Sequence, residues 1–219
     1  MAIALLRKRE IWVPTLSGWA ALLGACALCA LLAARAVYPF LAVSDPVGAP
    51  IAVVEGWLEP EELDEAIAAL RARKYRVVLT TGGPLQPWPD KTPGATFAHR
   101  AAAYLKQRGL ADIPVVPVPS PHTLQDRTFT SASMVREWAT RSGARGEKID
   151  VFSRGPHARR SRMLYERVLG PDVPVGVVAL APHQYAGAAW WRNSTGARDV
   201  AEQATGLLWT VLFFKPGPL

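Results

Sequence analysis

The sequence predicts an α/β domain, a doubly wound, mainly parallel five-stranded sheet, preceded by one N-terminal transmembrane helix. Three observations predict it. Beyond residue 50, short apolar runs of β-forming residues alternate five times with amphipathic helical stretches. The first of these runs, residues 51–54, is apolar throughout, as expected of a strand buried on both faces between crossover helices. Upstream, residues 11–34 contain no charged side chain, and about 20 helical residues suffice to cross a bilayer core.

The uncharged run is the first element. Arg7, Lys8 and Arg9 precede it and only Arg35 closes it, so the positive-inside rule leaves residues 1–10 as a cytoplasmic tail and sends the rest of the chain across. Trp12, Trp19 and Tyr38 stand near its ends, where interfacial aromatics gather. Ala34-Arg35-Ala36 resembles a small-residue cleavage site, which leaves a removed signal peptide as the competing reading. The apolar stretch is longer than the usual core of such peptides, about 7–15 residues, which favours an uncleaved anchor over residues 11–38. Cys26 and Cys29 both fall inside it. Their C-x-x-C spacing has no histidine or second pair nearby, so they read as packing residues and no metal site is expected. The remainder has no cysteine and needs no disulfide in an oxidising compartment.

The net charge of +7 is partly that of the anchor's flanks. Without Arg7, Lys8, Arg9, Arg35 and Glu10, 21 basic and 17 acidic residues remain, a net +4 for residues 36–219. No basic run interleaved with aromatics occurs, so nucleic acid is not an expected partner. An anionic lipid surface or a phosphorylated ligand stays open.

Residues 39–50, with their prolines, glycine, serine and aspartate, read as a tether. The strand at 51–54 leads through Glu55-Gly56-Trp57 into a helix. Glu59, Pro60, Glu61 and Glu62 open that helix, Leu63, Ala66, Ile67 and Leu70 form its apolar stripe, and Arg71, Arg73 and Lys74 close it. A second strand, 76–80, ends in Thr81-Gly82-Gly83-Pro84, where paired glycines permit positive φ and close approach of a ligand, or simply a turn. Residues 86–94, rich in proline and with Trp88, form an irregular excursion able to cover a pocket.

A helix over 95–108 presents Ala98, Ala101, Ala102 and Leu105 on one face and stops at Gly109. The third strand, 113–118, contains Pro114 and Pro117, which points to an irregular or edge position. Residues 120–128 form a polar loop into the next helix, where Asp126 or Thr128 would act as cap and His122 as a loop residue.

Residues 149–162, I-D-V-F-S-R-G-P-H-A-R-R-S-R, are the stretch on which function centres: a strand, a tight turn, and a helix opened by Pro156 and carrying His157, Arg159, Arg160 and Arg162. Unpaired backbone N–H groups and the positive end of a helix dipole suit an anion, and arginines add bidentate donors. The plainer alternative is solvated arginines and a turn histidine. A strand over 173–180, an aromatic excursion over 185–191 and a last helix over 195–214, carrying Glu202, complete the chain. Its apolar end, 207–214, is too short to span a membrane and either packs on the sheet or touches lipid.

In doubly wound sheets ligands bind beyond the carboxyl ends of the strands, where the strand order reverses. The residues gathered there are Glu55, Gly56, Gly82, Gly83, Ser120, Thr123, Asp126, Ser153, His157, Arg159 and Arg160.

The order of V-V-E-G at 53–56, T-G-G at 81–83, S-x-x-T at 120–123, H-x-x-R at 157–160 and a glutamate in the closing helix, Glu202, resembles the YdcF/SanA/ElyC family over roughly residues 51–214. The resemblance implies a Rossmann-like domain over 51–219, a single-pass anchor in the bacterial inner membrane with the domain outside, and a role in peptidoglycan or surface-polysaccharide metabolism. Some members look like nucleotide or S-adenosylmethionine binders. The chain departs from the family patterns at Glu55 and Trp57, where a glycine-rich loop is usual, at Phe97, where an acid is usual, and at Asp126, where Asn is usual. G-x-G-x-x-G is absent, so no cofactor is carried over and its identity is unknown.

Two functions fit the residues. In one, an envelope enzyme acts on a phosphorylated or lipid-linked sugar precursor: Arg160 and the helix start hold the anion, His157 is acid or base, and Asp126, Glu55 or Glu202 orients it or activates water. In the other, the same pocket binds without turnover, with Gly56, Gly82, Gly83, Ser120, Thr123, Ser153, Arg159, Arg160 and Glu202 as ligand contacts, and the protein is an assembly or regulatory factor.

Overall fold

The computed structural model describes residues 12–85, 95–110 and 112–215. The basic tail at 1–10 and the excursion expected at 86–94 lie outside the described residues. The first helix, α1 (Leu16–Leu41), has a mean hydropathy of 2.1 over its best window and is long and apolar enough to cross a membrane. The chain divides between Ala36 and Val37 into two compact units.

The second unit alternates strand and helix: β1 (Ile51–Glu55), α2 (Pro60–Arg71), β2 (Val77–Gly82), α3 (Phe97–Gln107), β3 (Val115–Pro119), α4 (Arg127–Arg141), β4 (Ile149–Arg154), α5 (Ala158–Leu169), β5 (Val175–Leu180) and α6 (Ser194–Leu212). All strand pairs are parallel and the order is β3-β2-β1-β4-β5, a Rossmann-like sheet. The chain winds outward from β1 to β3, then crosses to β4 and winds the other way. The reversal therefore falls between the ends of β1 and β4. β3, with its prolines, lies at an edge as expected.

Every residue of β1 and β2 is buried, and alternate side chains feed two cores. Ala52, Val54 and Val78 meet Leu63, Ile67 and Leu70 of α2 and Ala101 and Leu105 of α3. Ile51, Val53, Val77 and Leu79 meet Val135 of α4 and Tyr165 and Val168 of α5. Local chemistry fixes the helix starts. Pro60 supplies the first turn of α2, where its missing N–H costs nothing, and the Glu62 carboxylate accepts from the Glu59 N–H at 3.0 Å. Thr96 accepts from the His99 N–H at 3.2 Å to open α3.

The segment expected as a tether is instead docked on the domain. Asp45 bridges Val177 antiparallel to β5. Asp150, fully buried in β4, accepts from the Val47 and Ala49 N–H groups at 2.8 and 3.2 Å and from the Tyr75 hydroxyl at 3.0 Å. Gly176 leaves room for this carboxylate, since a Cβ there would overlap Asp150 Oδ1. A third cluster joins Val37, Tyr38 and Leu41, at the end of α1, to Val200 and Leu207 of α6.

Candidate functional site

The centre of the site is the Glu55 carboxylate, which β1 delivers to the strand-order reversal at 2 % exposure. Ser153, near the end of β4, donates to its Oε2 at 2.6 Å, and Ser161, one turn into α5, donates to its Oε1 at 2.7 Å. A 3-10 turn at Gly155–His157 carries the chain from β4 into α5 and places His157 at 5 % exposure, with Nε2 3.9 Å from Glu55 Oε1. The Trp57 ring stands edge-on to the imidazole, 5.4 Å between centroids.

Each ring nitrogen meets the protein. Nδ1 lies 2.8 Å from Gln203 Oε1 and 3.2 Å from a terminal nitrogen of Arg160, while Nε2 lies 3.3 Å from the Thr128 hydroxyl. A proton on Nδ1 donates to Gln203 and leaves Nε2 to accept from Thr128, whereas a bare Nδ1 accepts from Arg160 and leaves Nε2–H to donate to Thr128. Burial holds the imidazole pKa below its ordinary value, Glu55 opposes the shift and Arg160 adds to it.

Arg160 is the under-satisfied member. Its Nε is buried with no hydrogen-bond partner, while the terminal nitrogen facing His157 has only Nδ1 within reach, a nitrogen it shares with Gln203. Burial lowers the Arg160 pKa from its ordinary value, against Glu55 and Glu202, which raise it. A Cβ on Gly206 of α6 would stand 2.7 Å from the other terminal nitrogen, so the guanidinium lies directly against that glycine.

The expected residues divide. Glu55, Ser153, His157 and Arg160 converge. Asp126 does not join them: it is exposed at the start of α4 in left-handed backbone (φ 56°), and Thr128, two residues on, reaches His157 instead. Glu202 is exposed and influences Arg160 only through its charge, whereas its neighbour Gln203 makes the contact. Arg159 turns toward the end of α1, donating to the Phe40 carbonyl with its guanidinium 4.1 Å from the Phe40 ring centroid.

Gly56 and Gly82 are closed by the chain itself. A Cβ on Gly56 would meet the Phe97 carbonyl at 2.6 Å, and one on Gly82, at φ 137°, would meet the Phe97 Cβ at 2.6 Å. The positive φ is as expected, but the start of α3 makes the close approach rather than a ligand. Gly83 and the buried Ser120 face each other: a Cβ on Gly83 would stand 3.4 Å from Ser120 Oγ, in ordinary contact. Thr123 closes a local turn on the Gln125 carbonyl at 2.5 Å. Among the described residues no hydrogen bond or ion pair joins His157 to Gly82, Gly83, Thr123 or Asp126.

A separate polar cavity of about 160 Å³ is lined by Glu62, Arg154, His183, Tyr185, Asp199 and Glu202 among others, with none of Glu55, Ser153, His157 or Arg160 in its wall. Arg154 spans one wall, paired through two nitrogens with the buried Glu62 at 2.5 and 3.1 Å. Near its rim Glu59, Glu61 and His183 place one donor atom each within 4.8 Å of one another, the group best able to accept a cation among the described residues. His183 Nε2 already pairs with Glu59 at 3.3 Å.

No family model, no curated protein and no solved structure matches the chain.

Proposed function

We propose that the chain is a single-pass, membrane-anchored protein of YdcF-like type. Its N-terminus lies inside, its domain lies outside the bacterial inner membrane, and its site binds the phosphorylated headgroup of a lipid-linked cell-envelope precursor. The observation that carries this reading is Arg160: a half-buried arginine beside His157 whose buried Nε has no hydrogen-bond partner, which is the place an anion would complete. The neighbouring Arg159 supports a lipid-borne substrate, because it docks on Phe40, five residues beyond the Arg35 that closes the apolar run. The resemblance in motif order points to the same compartment and to peptidoglycan or surface-polysaccharide biogenesis.

Binding is favoured over turnover because both imidazole nitrogens are engaged by protein groups at 5 % exposure. Hydrolysis or transfer is a second reading on one observation, a buried carboxylate and imidazole 3.9 Å apart, Glu55 Oε1 to His157 Nε2, which would have to close to about 3 Å before a proton could pass between them.

The test is titration of the full chain in nanodiscs against a lipid-linked sugar phosphate and against its dephosphorylated counterpart. The phosphorylated lipid should bind preferentially, and Arg160→Ala should weaken it about tenfold or more, as expected for loss of a charge-assisted contact worth ~1.5–3 kcal/mol. Equal affinity for both lipids would overturn the reading. Release of phosphate or sugar that Glu55→Gln and His157→Ala both abolish would replace binding with catalysis.

A further inference from the structure

α6 buries one face only. Val200, Gln203, Leu207 and Thr210 point inward, Leu207 clustering with Leu41, Val37 and Tyr38. On the opposite side of its last two turns Leu208, Trp209, Leu212 and Phe213 stay 56–60 % exposed, with the Trp209 and Phe213 rings 5.2 Å apart. The spacing makes a single stripe. No Asp, Glu, Lys or Arg occurs between Glu202 and Lys215, so no charge interrupts it. An apolar stripe of this size on a soluble surface marks something that covers it.

The inner side of the helix indicates what that is. Val37, Tyr38 and Leu41 follow within six residues of Arg35, where the uncharged run ends. If that run spans the bilayer, these residues stand in the interfacial zone, and a helix packed directly on them stands there too. Trp and Phe on the outer face of such a helix suit the boundary between headgroups and acyl chains. Two guanidinium groups flank the same region, Arg159 over Phe40 at 4.1 Å and Arg167 over Phe214 at 5.7 Å, and match anionic headgroups. A soluble protein partner would account for the stripe but not for its position beside the residues that leave the membrane.

We propose that the last two turns of α6 insert into the headgroup region of the bilayer as a second lipid contact, fixing how the domain sits on the membrane. The proposal rests on α1 spanning that bilayer, and the experiment separates the two. In full-length protein in nanodiscs containing anionic lipid, an environment-sensitive fluorophore is placed at Leu212→Cys or, as control, at Arg108→Cys after α3, each with Cys26 and Cys29 replaced by Ser. A third sample carries the label on Cys26 alone.

Spin-labelled lipid should quench the label at residue 212 with a blue shift, leave the label at 108 unchanged, and quench the label at 26. A label at 212 that stays water-like while the one at 26 is quenched overturns the α6 contact and leaves the anchor standing. An unquenched label at 26 removes the anchor and the proposal with it. A blue shift at 212 without lipid quenching, present only when two chains share a disc, gives the stripe to a second copy and overturns the proposal.

Discussion

Gly206 stands in the interior of α6, where glycine costs about 1 kcal/mol relative to alanine, and no turn requires it. Its reason lies across the helix: the Arg160 guanidinium, 2.7 Å from where a Cβ would be. Gly206→Ala therefore acts on Arg160 without removing its charge. The flexible end of the arginine can shift, so the variant should match or exceed the parent in thermal stability while binding the phosphorylated lipid several-fold more weakly. Unchanged affinity with unchanged stability would show that the position of that guanidinium does not matter. The same helix shows why part of the site was illegible in the sequence. Glu202 draws attention as a carboxylate, but adjacent helical positions point about 100° apart, and the neutral Gln203 is the one turned to His157. Asp126 differs from Thr128 for another reason, standing before α4 in left-handed backbone while Thr128 lies within the helix and reaches His157. Glu55, Ser153, His157 and Arg160 were legible because strand ends and the helix start place them without knowledge of rotation.

At the scale of elements, the five strands and the helices between them follow directly from apolar runs and stripes, and Pro114 and Pro117 foretell the edge position of β3. Less legible was the docking of residues 45–50, because proline- and glycine-containing sequence reads as flexible whether or not something holds it. One signal was present: Asp150 interrupts the otherwise apolar start of β4, Ile149-Asp150-Val151-Phe152, and a carboxylate buried in a central strand must find donors. It finds two backbone N–H groups of the segment and the Tyr75 hydroxyl. Asp150→Ala leaves those donors without their acceptor. At about 1–3 kcal/mol for each unsatisfied buried group, the loss should reach several kcal/mol in denaturant unfolding and expose residues 45–50 to rapid amide exchange. If exchange there stays slow, the segment is held by something other than this carboxylate.

For the whole molecule, the side of the membrane on which the domain lies decides what its site can meet. The sequence bears on topology through the charges around the uncharged run: Arg7, Lys8 and Arg9 before it against Arg35 alone after it. The proposed topology reads that asymmetry as N-terminus inside and domain outside. Beyond residue 36 the chain contains no cysteine, and Cys26 and Cys29 lie in the apolar helix, so a single introduced thiol gives a clean report. Ser142, exposed at the end of α4, is suitable because no side chain of the site contacts it. Ser142→Cys in intact spheroplasts should react with a membrane-impermeant maleimide as fully as after lysis. Protection until lysis would place Arg160 in the cytoplasm, where soluble nucleotides and phosphometabolites compete for a guanidinium, and would withdraw the case for an envelope lipid as its ligand.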